Sequence, residues 1–99
     1  MTDLDIEKEI QEKGLLSPRI THDMIDEVIE SERYHVFHGT TFTTCLLTLK
    51  NGYNVLGESA CVSPDNFDAA FGRKIARGNA LNKIWQIEGY LLRQKLSEQ

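Results

Sequence analysis

The stretch TTFTTCLLTLKNGYNVLGESACV, residues 40–62, decides the fold. Thr40 to Lys50 is rich in Thr, Phe, Cys and Leu, residues that favour a pleated strand. Tyr53 to Val62 is a second run of the same kind. Between them stands Asn51-Gly52, and both residue types tolerate positive φ, so the pair predicts a tight β-hairpin. With a two-residue loop Lys50 faces Tyr53, which sets Leu47 against Leu56, Cys45 against Glu58, Thr43 against Ala60 and Phe42 against Cys61. One face then carries Cys45, Leu47, Leu49, Leu56, Ala60 and Val62, the other Phe42, Leu46, Tyr53, Val55 and Cys61. Both faces are apolar enough to require a cover. Cys45 and Cys61 fall on opposite faces in this register, so a disulfide between them is not expected.

Downstream of the hairpin, Ser63-Pro64-Asp65-Asn66 reads as an N-cap followed by proline at the first helical position. The pattern then stays helical from about residue 64 to about residue 96. Phe67, Phe71, Gly78, Leu81, Trp85, Leu92 and Leu96 form one apolar stripe, and Ala76, Ala80, Ile84, Ile87 and Leu91 a second, roughly opposite. Either this helix is buried from both sides, by the hairpin and by another subunit, or a break at Gly72 or Gly78 resets its phase. Upstream, Leu4, Ile6 and Ile10 lie among charges in a segment from Asp3 to Lys13 that ends at Gly14, a short helix with a glycine cap. After Ser17-Pro18, Thr21 can cap a second helix with Met24, Ile25, Val28 and Ile29 on one face, ending near Arg33. The expected fold is α+β: N-terminal helices, one antiparallel hairpin over about 40–50 and 53–62, and a long C-terminal helix. Residues 1–17 are read as a poorly defined helical extension and 18–99 as a single domain.

The 99 residues have an ordinary globular composition, with 40% hydrophobic and 26% charged. They lack a run of about 18 apolar residues, which excludes a membrane-spanning helix. The acidic start, Met1-Thr2-Asp3-Leu4-Asp5, does not read as a secretory signal, and the chain is expected in the cytoplasm with both cysteines reduced. Its net charge of −4 is unevenly placed: residues 1–33 carry ten acids and four bases, residues 64–99 six bases and four acids. Arg73, Lys74, Arg77 and Lys83 lie in a stretch, Ala69 to Ile87, that contains no acid. With Asn79 and Asn82 they form the candidate binding patch, a ladder that could grip phosphates or carboxylates or simply be solvated or paired internally. Glu58 is read as the structural partner of a helix cation, because buried acids need one. His35-x-x-His38 could offer two metal ligands, but no third is placed nearby, so linker histidines are the better reading. Cys61 stands near a helix start without a base to assist it and reads as a packing residue. No phosphate-cradling loop or nucleophile–base motif occurs, so neither a catalytic residue, a metal site nor a cofactor is expected.

From Asn51-Gly52-Tyr53 through Gly57-Glu58-Ser59-Ala60-Cys61-Val62-Ser63-Pro64, Asn66-Phe67-Asp68, Gly72-Arg73-Lys74-Ile75-Ala76, Asn79-Ala80, Asn82-Lys83-Ile84-Trp85 and Glu88-Gly89-Tyr90-Leu91-Leu92, the chain resembles the small tailed-phage protein family named after products of phages N4 and Sf6. The resemblance spans residues 18–96. It implies a phage or prophage origin and action in the bacterial cytoplasm, but no established activity. The shared polar motif of that family falls on Glu58, Arg73, Lys74, Asn79, Asn82 and Lys83, and Gly78 stands where a helix former is expected. The expected function is a non-catalytic accessory protein that forms a homo-oligomer and binds a host or phage macromolecule. The alternatives are nucleic-acid binding through the basic helix patch, and an oligomeric pocket for a small anionic ligand such as a nucleotide.

Overall fold

The computed structural model describes residues 3–14 and 17–99. It contains α1 (Asp3–Glu12), α2 (His22–Val28), β1 (Ile29–Val36), β2 (Phe42–Leu49), β3 (Asn54–Ala60), a 3-10 turn (Pro64–Asn66) and α3 (Ala69–Ser97). The strands form one antiparallel sheet in the order β1-β2-β3. The helix α3 lies across one side of it, and the architecture is the expected α+β. Of the N-terminal extension expected over residues 1–17, residues 1, 2, 15 and 16 fall outside the described residues.

The third strand is the main departure from the expected hairpin. The second helix, capped by Thr21 as expected, with its hydroxyl accepting from the Met24 N–H at 3.3 Å, ends at Val28 instead of Arg33. Ile29 already has extended backbone, φ −85 and ψ 121, and the chain runs straight into β1. Six of the eight β1 residues are exposed, so the strand shows neither the alternation of a half-buried strand nor an apolar run. Edge strands carry such polar sequences because charged side chains discourage further pairing.

The hairpin also closes differently. Leu49 donates to the Tyr53 carbonyl at 2.8 Å, and Gly52 donates to the Leu49 carbonyl at 2.8 Å. The loop is therefore three residues, Lys50-Asn51-Gly52. Gly52 alone takes positive φ, at 89°, while no non-glycine residue among those described does. A turn of the mirror type would need positive φ at Asn51 too; a tight turn followed by a left-handed glycine needs it only at Gly52. The extra loop residue shifts the register by one: Leu46 faces Leu56, Leu47 faces Val55, Cys45 faces Gly57, Thr44 faces Glu58 and Phe42 faces Ala60. A one-residue slip exchanges the faces of β3. Val55 is thus buried with Cys45, Leu47 and Leu49, whereas Leu56, Glu58 and Ala60 point away from the helix. Cys61 accordingly sits on the helix side with Cys45, one residue past β3, and both thiols are free.

The core lies between the sheet and α3, formed by Cys45, Leu47, Leu49 and Val55 against Ala76, Ala80 and Ile84, with Ile25 closing one end. Small residues at Ala76 and Ala80 let the helix descend onto the sheet at Gly57. A Cβ at Gly57 would stand 2.1 Å from the Ala76 carbonyl and 2.3 Å from the Ala80 nitrogen. Gly72 makes a looser approach: a Cβ there would stand 3.1 Å from the Thr43 hydroxyl, which is buried without a hydrogen-bond partner among the described residues.

The long helix is continuous for 29 residues, through Gly72, Gly78 and Gly89, so neither expected break occurs. Its start moves from the proline to Asp68, whose carboxylate accepts from the Phe71 N–H at 3.0 Å; Pro64 opens a separate 3-10 turn. At ~1.5 Å per residue it is ~43 Å long, which accounts for the 52 × 31 × 18 Å shape. Of the two apolar stripes, Ala76, Ala80 and Ile84 face the sheet. Leu81 and Trp85 are half-buried on the flank where α2 lies, and Trp85 shares a cleft with Ile6, Ile10 and Ile20. The chain's own N-terminal helices supply part of the cover that a second subunit was expected to provide.

Candidate functional site

The six residues of the basic patch do not form one surface. Successive residues of a helix are 100° apart, so with Ala76 and Ala80 turned to the sheet, Arg77 emerges on the β1 flank and Asn79 and Lys83 on the β3 flank. On the β1 side, Arg77 Nε donates to Glu32 Oε2 at 2.7 Å, and the same carboxylate oxygen lies 3.4 Å from the Tyr34 hydroxyl. The hydrogen bond to Glu32 holds the Arg77 guanidinium pKa above its ordinary value. Burial, helped by the neighbouring Cys45 and Glu32, pushes the Tyr34 phenol up to about 12. Burial also raises the Cys45 thiol, which suits a core residue and not a nucleophile.

On the other side, Lys83 Nζ donates to the Leu56 carbonyl at 2.6 Å and Asn79 Nδ2 to the Glu58 carbonyl at 2.8 Å. These carbonyls belong to the outer edge of the sheet. The Leu49 N–H donates to the Tyr53 carbonyl, so every second residue of β3 from Val55 points its backbone toward β2, and Leu56 and Glu58 point outward. The two side chains occupy acceptors that another strand would otherwise seek, and so blunt an edge that would pair with other chains. Ser59 adds a third tie, donating to the Gly72 carbonyl at 2.7 Å.

Three of the six patch residues are therefore used in holding α3 to the sheet. Arg73, Lys74 and Asn82 are exposed on α3, with no side-chain bond or ion pair recorded for them among the described residues. The expected pairing of the Glu58 carboxylate with a helix cation does not form: the register slip turns this side chain to the opposite face, and the helix reaches its carbonyl instead.

His35 lies in β1 and His38 in the turn beyond it, both exposed, and the His35 ring meets Phe37 edge-on at 4.6 Å. A different trio, His22, Asp23 and Asp26, brings three donor atoms within 4.8 Å of one another. It is a surface contact one helical turn apart, His22 Nδ1 to Asp26 Oδ2 at 3.3 Å, beside one further acid. The Cys61 thiol donates to the Ser63 carbonyl at 3.1 Å and lines an apolar cavity of about 330 Å³ with Phe67, Phe71 and Ile75. No histidine or carboxylate base stands with it except Asp68, which is engaged as the helix cap.

A cover for the second face of the hairpin was expected, but not the third strand or the register that sets which residues the face turned away from α3 carries. Across its four rows it carries Ser31, Thr48 and Asn54; Arg33, Leu46 and Leu56; His35, Thr44 and Glu58; and Phe37, Phe42 and Ala60. Among the described residues, no helix packs over it. Phe37 is 48% and Leu56 43% exposed, and Phe37 and Phe42 pack ring against ring at 5.9 Å. The alternation Arg33, His35, Phe37 was legible only once β1 was known to be a strand.

A layer of three strands under one long helix, with polar side chains that staple the two together, defines a small α+β domain. The chain belongs to the phage protein family of N4 Gp49 and phage Sf6 gene 66, whose model matches residues 20–96. The match runs from the residue before the Thr21 cap to the end of α3 and leaves α1 outside. No curated protein and no solved structure matches the chain. No helix among the described residues is long and apolar enough to cross a membrane.

Proposed function

We propose that this phage protein is a non-catalytic accessory factor that associates with itself and presents the resulting assembly to a host or phage macromolecule. The observation that carries the reading is the pairing of two facts. Three of the six patch residues are engaged in fastening α3 to the sheet, while the opposite sheet face stands open with Phe37, Phe42, Leu46 and Leu56 set among polar residues. An antiparallel sheet commonly leaves one face to solvent, but that face is then polar; exposed aromatic and aliphatic side chains such as Phe37 and Leu56 in the middle of it mark an association site. Light scattering on the purified chain at rising concentration tests it: the expected mass is that of a dimer or larger species. A monomer throughout would overturn it.

Nucleic-acid binding by the helix patch draws support only from Arg73 and Lys74, exposed in a stretch without acids. It predicts affinity for single- or double-stranded DNA that falls steeply with salt and is lost in the double alanine variant. The small-anion pocket has less to stand on, since Arg77 and Lys83 point to opposite flanks and each already has a partner.

A further inference from the structure

The open sheet face is self-complementary, and we infer that its occupant is the same face of a second copy, packed sheet on sheet. This rests on the self-association proposed above and names the surface and the geometry. Consider a two-fold axis running along β2 between two stacked sheets. It lays β1 over the partner's β3 and keeps the four rows aligned, as in aligned sheet packing. The central strand then meets itself, Leu46 on Leu46 and Phe42 on Phe42. Across the flanks Phe37 covers the partner's Ala60, a large side chain over a small one. His35 lies over the partner's Glu58, and Arg33, one row away, reaches the same carboxylate. Given that axis, these juxtapositions follow from the register within each copy.

Charge supports the same occupant. The chain carries −4, yet this face holds one arginine, one glutamate and one histidine, so stacking two copies brings no net charge together. Arg33 and Glu58 stand on opposite edge strands, the arrangement that lets a two-fold operation match each with the other. Three strands ~4.8 Å apart and four rows ~7 Å apart give an interface on the order of 1,000 Å² in total with side-chain relief, the lower bound for a specific contact. The dimer is therefore expected to dissociate on dilution.

Sedimentation velocity across the micromolar range, on the whole chain and four variants, tests this. The expected result is a reversible wild-type dimer whose dissociation constant rises about tenfold in Arg33→Glu and in Glu58→Arg. It returns to within about threefold of wild type when both are combined. Leu56→Lys places an unpaired charge in the contact and is expected to leave only monomer. All three positions are exposed, and a far-ultraviolet spectrum of each variant confirms the fold. A wild-type dimer indifferent to Leu56→Lys and to both charge reversals would overturn this interface while leaving self-association standing. A wild-type monomer at every concentration would overturn both.

Discussion

Replacing Gly57 by alanine tests the central contact of the fold. The added Cβ would stand 2.1 Å from the Ala76 carbonyl, 2.3 Å from the Ala80 nitrogen and 2.8 Å from the Ala80 Cβ. Atoms of this kind rest roughly 3.5 Å apart, so helix and sheet must part by about 1 Å or more. The atoms in the way are backbone, and no rotamer change relieves them. Overpacking a core costs about 1–3 kcal/mol when side chains can give, and here the upper end applies. Separation also loosens Ala80 and Ile84 from Leu47 and Val55, and strains the Asn79 and Lys83 bonds to the β3 edge. A loss of about 3 kcal/mol in a domain of this size lowers the melting temperature by roughly 12–24 °C. The assay is thermal unfolding by circular dichroism beside Gly78→Ala, whose Cβ meets nothing within 4 Å. That control is expected to raise stability by up to about 1 kcal/mol, because glycine is the poorer helix former. A Gly57→Ala melting point within a few degrees of wild type would refute the close-approach reasoning.

Asn79→Ala and Lys83→Met each remove a donor from a β3 edge carbonyl. Each is expected to cost about 1 kcal/mol in urea unfolding and to speed aggregation, because the edge is left open to pairing. Gly52→Ala puts a Cβ at φ 89°, and a loss of about 1–2 kcal/mol is expected in the same measurement. Titrating tyrosine absorbance should show one of the three tyrosines, Tyr34, ionising only near pH 12. Since its folded-state pKa lies above its unfolded value near 10, the associated stability is intact below about pH 10 and lost between about pH 10 and 12. Alkylation of the native protein should label Cys61 and spare Cys45, which is fully buried, until denaturant is added; equal rates would contradict the placement of Cys45 in the core.

What the sequence determined by itself were the features written in local chemistry. Asn51-Gly52 between two β-rich runs sufficed for a hairpin, Thr21 for a helix start and Gly14, with φ 70°, for a helix end. Helical spacing placed Ala76, Ala80 and Ile84 together on one of two apolar stripes of α3, and packing on the sheet selected that one for the core. The motif from Asn51 to Leu92 was enough to identify the family. Three things were decided only in the tertiary structure. The hairpin loop closed over three residues because burial of Val55 with Leu47 and Leu49 sets which face of β3 turns inward, and the turn residues admit either closure. The segment Ile29–Val36 became a strand because the edge of β2 offers hydrogen bonds to a neighbour; its polar residues carry no period of their own. The basic ladder parted into two flanks because α3 sits down on Gly57. That contact turns Arg77 toward Glu32, and Asn79 and Lys83 toward backbone carbonyls of β3, and it leaves the far face of the sheet uncovered. Residue spacing records which side chains share a helix face, but the partner each one meets depends on which element the helix packs against.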